Sequence, residues 1–230
     1  MLDRHLIEQR LSDVQSRIAK AERRYGRMPG SVQLIAVSKT RPIEDIAAAY
    51  AVGQTRFGEN YVQEAVAKIH ALRDLAVEWH FIGPLQSNKT RDVAEHFAWV
   101  HSVDKLKIAE RLNAQRPAHL PPLQVCIQVN TSGEDSKSGI GAHALPALAA
   151  AVAKLPRLTL RGLMALPAPA EDFDGQCAAL RPLHELWTQL RSLGLDIDTL
   201  SMGMSSDLEA AIAEGATLVR VGTDIFGARG

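Results

Sequence analysis

The chemistry in this sequence gathers at a few short stretches where apolar runs give way to Lys, Ser, Gly, Asn and Arg. Leu34-Ile35-Ala36-Val37 runs into Ser38-Lys39-Thr40. A lysine just past a buried strand faces the mouth of a parallel barrel, where partial desolvation favours the free amine that attacks a carbonyl. The plainer alternative is a lysine that snorkels to water from the strand end. Ser205-Ser206-Asp207 stands directly before an apolar-periodic segment carrying Leu208, Ala211 and Ile212. Serine there caps a helix, and the unpaired N–H groups behind it can receive an anion. Gly222 lets backbone approach a ligand closely, and Thr223 adds a hydroxyl. Singly these residues make a cap and a turn. Jointly they fall on the last two loops, where barrels hold phosphate.

Arg220 closes the last apolar run. A buried guanidinium keeps its charge and needs a partner. Glu59 is one candidate. A ring nitrogen of a ligand is the other: a guanidinium only donates, so a pyridine nitrogen facing it stays unprotonated and the ring becomes a weak electron sink. Asn60 is a neutral group suited to face a phenolate, although Glu59 and Asn60 equally serve to begin the next helix. His80, beside Phe81-Ile82, reads as a satisfied core or mouth histidine rather than a catalyst. Lys137 reads as solvated, in a Gly/Ser-rich loop at 132–141 able to cover the mouth. No metal is expected: the eight histidines lack HExxH-type spacing, and Cys126 and Cys177 fit no metal or redox pattern. Cys126, within an apolar run, reads as a small core residue.

These residues must be positioned by the elements between them. Leu11, Val14, Ile18, Ala21 and Tyr25 recur at steps of three and four, which predicts a helix ended by the Gly/Pro stretch at 26–30. Strand candidates follow at 32–37, 55–57, 79–82, 99–101, 123–129, 158–164, 199–201 and 217–221. Helical segments alternate with them at 43–52, 61–72, 89–96, 105–115, 145–155, 177–193 and 207–214. Pro182 falls in the sixth of these, so that helix is expected to begin near Arg181. Eight strand–helix units in 230 residues fit an α/β fold, a single (β/α)8 TIM barrel. The helix after the last strand is missing or very short, so the N-terminal helix is expected to close the ring. Residues 1–230 read as one domain, with 1–30 packed on or near the barrel.

Lys+Arg and Asp+Glu are 26 each, so net charge gives no case for nucleic acid or an anionic membrane. No apolar run approaches the roughly 18–20 residues of a membrane helix. The first twenty residues alternate charged with apolar groups and do not resemble a secretory signal. A cytoplasmic monomer is expected.

Longer blocks carry a family resemblance. AVSKT at 36–40, FGENYVQEA at 57–65, WHFIGPLQSNK at 79–89, SKSG at 136–139, GLMAL at 162–166, LSMGMSSDLEAAI at 200–212 and RVGTDIFG at 220–227 look like those of the pyridoxal phosphate homeostasis proteins. The resemblance spans about residues 32–227. It implies a fold like the N-terminal barrel of bacterial alanine racemase, without that enzyme's β-rich second domain. It implies that Lys39 holds pyridoxal 5′-phosphate (PLP) as an internal aldimine. Ser205, Ser206, Gly222 and Thr223 would hold the phosphate, Arg220 would face the pyridine nitrogen, and Asn60 would lie near the ring oxygen. It further implies a role in vitamin B6 homeostasis without robust catalysis, with apo PLP enzymes as possible recipients. Asp224 departs from the pattern, since relatives often carry a small residue there.

Two other functions compete. A PLP-dependent amino-acid racemase needs a second proton acceptor opposite Lys39, and none of Tyr25, Tyr50 and Tyr61 is obviously placed for it. A phosphate-substrate barrel enzyme would use Lys39 on a sugar carbonyl, as aldolases do, and would be colourless.

Overall fold

A computed structural model describes residues 3–132 and 138–228. Eight parallel strands close into a barrel: β1 (Gln33–Val37), β2 (Arg56–Glu59), β3 (Glu78–Phe81), β4 (Trp99–Val103), β5 (Leu123–Asn130), β7 (Leu158–Met164), β8 (Thr199–Ser201) and β9 (Leu218–Val221). β4 pairs with β5 and β9 returns to β1, which completes the ring. β6 (Ile140–Gly141) adds a two-residue parallel rung at the end of β5.

The helices are α1 (Arg4–Arg24), α2 (Ile43–Ala51), α3 (Val62–Ala71), α4 (Thr90–His96), α5 (Leu106–Gln115), α6 (Leu145–Val152), α7 (Phe173–Ser192), α8 (Leu208–Ala213) and α9 (Thr223–Phe226). This is the expected TIM barrel with an additional N-terminal helix. α9 has only four residues, and α1 packs against α2, α8 and α9, so the N-terminal helix does close the ring. Its buried stripe, Ile7, Leu11, Val14, Ile18 and Ala21, contains four of the five residues the periodicity marks; Tyr25 lies at its C-cap.

Alternation along the strands builds two cores. Leu34 and Ala36 of β1, Phe81 of β3, Val100 of β4 and Val219 of β9 face the helices and join the large outer core. Ile35, Trp99, Cys126, Met164 and Leu218 face inward and form a smaller core inside the barrel. By the same alternation His80, His101, Ser201 and Arg220 also lie on the inward face. All four are buried.

Two sequence expectations are corrected. α7 does not begin near Arg181. It starts at Phe173, capped by the Asp172 side chain on Gly175 N–H at 2.7 Å, and runs through Pro182. A proline inside a helix costs roughly 3 kcal/mol. Here Cys177, Leu180, Leu183 and Leu190 are buried on both sides of it, and that burial outweighs the lost hydrogen bond. β2, for its part, extends to Glu59, because Gly58 and Glu59 pair with His80 and Phe81. Glu59 is therefore a buried strand residue and does not start the following helix. Lys137 lies outside the described residues. Among the described residues no helix is long and apolar enough to cross a membrane.

Candidate functional site

Six of the seven site residues expected from sequence line one cavity of about 480 Å³ at the C-terminal ends of β1, β8 and β9: Lys39, Ser205, Ser206, Arg220, Gly222 and Thr223. Register brings them together. Ala36 of β1 stands opposite Val221 of β9, so the Lys39 loop leaves the barrel beside Gly222. A Cβ on Gly222 would stand 3.2 Å from the Val37 carbonyl, so glycine lets the two loops approach. On the other flank Arg220 N–H donates to Gly203 O at 2.9 Å. Gly203 has φ +93°, and a Cβ there would come within 2.4 Å of the Ala211 side chain, so this turn onto α8 requires glycine.

The seventh residue, Asn60, does not line that cavity. It follows β2, where its Oδ1 is buried without a protein partner. Its backbone packs so tightly on Gly83 that a Cβ there would meet Asn60 O at 2.2 Å.

Neither serine caps α8. Asp207 is the N-cap residue, and its Oδ1 accepts from Met204 N–H at 2.6 Å, which draws the loop into a tight turn with Ser205 and Ser206 on the cavity wall. The alternative that the serines serve only as caps therefore falls away.

Arg220 does not pair with Glu59. Nη1 donates to Ser201 Oγ at 2.6 Å and Nη2 to the Ala165 carbonyl at 3.0 Å. No ion pair holds it among the described residues. Burial pulls its pKa down to about 10, which still leaves the guanidinium charged at neutral pH. Glu59 instead accepts from Ser38 Oγ at 2.6 Å and from Lys68 Nζ at 2.8 Å. Burial pushes its carboxyl above the ordinary value, against the pull of Lys68. His80 is a core histidine inside the barrel.

Two residues that sequence reasoning passed over brace the site. Lys68 Nζ also donates to the Ser38 carbonyl at 2.7 Å and to Glu64 Oε1 at 2.6 Å. Glu64 Oε1 in turn accepts from Thr40 N–H at 2.6 Å. Thr40 has φ +62°, a conformation that costs about 1–3 kcal/mol outside glycine and persists only when its surroundings fix it. The bracket therefore fixes both sides of Lys39. A signal was present: Lys68 is the one polar residue on the buried face of α3, beside Val62 and Ala65.

Arg17 of α1 is the second brace. It donates to Glu209 at 2.8 and 3.0 Å, to Asp224 Oδ2 at 2.6 Å and to the Ser205 carbonyl at 3.0 Å. It thereby ties the loop after β8 to the loop after β9. Asp224, the departure from the family pattern, is half of that tie. Nothing local in α1 announces a partner 207 positions away.

Among the described residues no cluster of three or more His, Cys, Asp or Glu could hold a metal ion. The arrangement offers an amine, a row of hydroxyl and glycine loop groups, and on one wall a guanidinium with no carboxylate in ion-pair contact; Asp224 also lines the cavity, its carboxylate paired with Arg17. These fit an aldehyde-bearing ring with an anionic tail.

A lysine beside Gly/Ser loops at one mouth of an eight-stranded parallel barrel defines a class of proteins, and the comparisons fall within it. The family model for the N-terminal domain of alanine racemase matches residues 10–230. A protein of Pseudomonas aeruginosa named pyridoxal phosphate homeostasis protein is 59% identical over 223 residues, covering 97% of this chain and 96% of its own. PipY of Synechococcus elongatus, solved with PLP bound, is 39% identical with a TM-score of 0.84, over 96% of this chain and 100% of that one. Alanine racemase from Corynebacterium glutamicum, 18% identical, shares the fold with a TM-score of 0.71 over 98% of this chain and 61% of the enzyme. The chain belongs to the family of the pyridoxal phosphate homeostasis proteins.

Proposed function

We propose that the protein binds PLP in the cavity between Lys39 and Arg220 and serves vitamin B6 homeostasis by holding the cofactor rather than by fast catalysis. Lys39 supplies the amine that joins the cofactor's aldehyde as an imine, with loss of one water. Ser205, Ser206, Gly222 and Thr223 receive the phosphate through hydroxyl and backbone N–H donors. Arg220 faces the ring nitrogen, and Asn60 serves the ring oxygen from the β2 side.

One observation carries this reading: a buried guanidinium without a carboxylate opens on the same cavity as the lysine and the two Gly/Ser loops. PLP, when bound, supplies an electron sink for carbanions. Arg220 blunts it, because a guanidinium that stays charged cannot accept a hydrogen bond and does not readily give its proton to the ring nitrogen. The relatives' name, a homeostasis protein rather than an enzyme, supports the same conclusion. Residues 1–230 act as one unit, a cytoplasmic monomer that passes the cofactor to apo enzymes.

The test is an absorbance spectrum of the purified protein before and after borohydride, followed by peptide mapping. A visible imine band whose reduction fixes the label on Lys39 is expected, and Lys39→Ala abolishes both. A colourless protein that PLP does not stabilise would favour the sugar-phosphate alternative. Amino-acid turnover well above that of free cofactor would favour the racemase.

A further inference from the structure

A row of polar groups crosses the barrel interior from its N-terminal rim to the cavity. Glu78, the first residue of β3, places Oε1 3.0 Å from His80 Nε2. His80 Nδ1 lies 2.9 Å from His101 Nε2. His101 Nδ1 lies 2.7 Å from Ser201 Oγ, and Ser201 Oγ accepts from Arg220 Nη1 at 2.6 Å. His80, His101 and Ser201 are fully buried, whereas the Glu78 side chain is 39% exposed. The structure thus connects a rim carboxylate to the guanidinium at the cavity through two imidazoles and one hydroxyl.

Glu78 fixes the donor and acceptor roles along this row. An ionised carboxylate only accepts, so His80 carries its proton on Nε2, aimed at Glu78. A neutral His80 then accepts at Nδ1, and His101 carries its proton on Nε2, aimed at His80. His101 Nδ1 is left to accept from the Ser201 hydroxyl. The Arg220 end is compatible with this order, because a serine oxygen that accepts from the guanidinium still has its proton to donate. Charging His80 would reverse the two middle links and fill both lone pairs of Ser201 Oγ with donors.

We propose that Glu78, His80, His101 and Ser201 form a one-directional relay that positions Arg220 and sets the charge it presents to the ring nitrogen. They are positioning residues: they touch Arg220 or one another. The role toward the ring rests on the PLP reading above; the tautomers and the fixing of Arg220 do not.

The surroundings favour the neutral forms. Burial lowers the pKa of His80 and, together with His80 and Arg220, lowers that of His101 well below the ordinary value. Glu78 pulls His80 the other way, toward its charged form, but burial outweighs it, and Arg56, 3.0 Å from Glu78, adds a smaller opposing push. Trp99 stacks on His80 at 5.4 Å between centroids and carries Arg161, which is paired with Asp198, against its ring. Asp207 is the carboxylate whose charge acts on Arg220; the Cys126 thiol, which burial pushes up to about 12, is neutral there.

Nitrogen-15 NMR of the cofactor-free protein tests the relay directly. Both imidazoles are expected as Nε2–H tautomers at neutral pH, with the Arg220 side-chain N–H protected from exchange. An Nδ1–H tautomer or an imidazolium at either histidine overturns the proposal. Ser201→Ala and Glu78→Ala are expected to remove the Arg220 protection, while Glu78→Gln, which keeps an acceptor oxygen, retains it. If neither Ala variant changes it, the row is only structural. In the loaded protein the same two Ala variants are expected to move the pH midpoint of the visible band by roughly half a unit or more, with Glu78→Gln unmoved. A band that ignores all three variants overturns the proposal as well. A wild-type protein with no band refutes the cofactor reading instead, and the cofactor-free spectra then decide the relay alone. Glu78 is partly exposed, so its variants remain informative even if Ser201→Ala fails to fold.

Discussion

Two cations are buried on the two flanks of β1, and they are held by opposite means. Lys68 arrives from α3 on the β2 side and meets Glu59 and Glu64 at 2.8 and 2.6 Å. Arg220 arrives on β9, the other neighbour of β1, and meets only a hydroxyl and a backbone carbonyl. The first charge is neutralised in place, and its geometry fixes the loop around Lys39. The second is solvated by neutral lone pairs, so its field remains available to the cavity it lines. A buried cation matched with carboxylates is part of the scaffold; one whose direct contacts are neutral, at a cavity wall, is left able to meet a ligand.

The largest test of that contrast is Lys68→Met. It strands Glu59 in the interior, and an uncompensated buried charge costs about 3–5 kcal/mol. Denaturant unfolding at neutral pH measures the loss. Its pH dependence has a definite sign. Burial already raises the Glu59 pKa above its ordinary 4.5, so the favourable, protonated form is present at low pH and is lost as pH rises through the folded value. Removing Lys68 raises that value further. The gap between variant and wild type should therefore narrow as pH is lowered and Glu59 takes up a proton. A variant as stable as wild type at neutral pH would put both cations in one class.

The next effect belongs to the relay on the Arg220 side. Burial lowers the pKa of both His80 and His101 from the ordinary 6.5. Below that value the unfolded chain therefore binds more protons there than the native one. Their contribution is present above pH 6.5 and is lost as pH falls below it, by up to about 1.4 kcal/mol per pH unit for each histidine. A denaturant midpoint that stays flat through this range would mean that the interior histidines are charged or solvated.

Smaller again is the brace between the loops. Arg17→Ala removes pairs with Glu209 and Asp224, but the side chain is 33% exposed and solvent screens them. A stability loss near 1 kcal/mol is expected. Because the same guanidinium fixes the Ser205 carbonyl, PLP retention on dialysis should fall roughly fivefold, a shift of about 1 kcal/mol. Unchanged retention would separate the loops after β8 and β9 from α1.

The mouth was legible in the sequence because strand ends are marked locally. Val37 gives way to Ser38-Lys39, and Val221 to Gly222-Thr223, within one or two residues. The interior was not. β2 and β3 have four residues and β8 three, too few for alternation to declare which side chains turn inward. His101 meets Ser201 across 100 positions and Arg17 meets Asp224 across 207, distances at which one sequence carries no pairing signal. α7 was misjudged at Pro182 for a related reason: tertiary burial of Leu180 and Leu183 overrides a local rule.

The smallest expected effect is the most discriminating, because the contrast between the cations predicts near-silence. Arg220→Met removes a buried charge that no carboxylate contacts, although Asp207 acts on it from a distance. What is lost is two hydrogen bonds to neutral acceptors, each worth about 0.5–3 kcal/mol net. What is regained is the cost of desolvating a guanidinium, the same burial that pulls its pKa to about 10. The two terms oppose one another, and apolar replacement of a buried ion is often neutral or stabilising. The cofactor-free variant should therefore unfold within about 1 kcal/mol of wild type, while the pH dependence of the visible band shifts. A loss as large as that of Lys68→Met would show that Arg220 belongs to the scaffold after all, and that its orientation toward the cavity serves folding rather than a ligand.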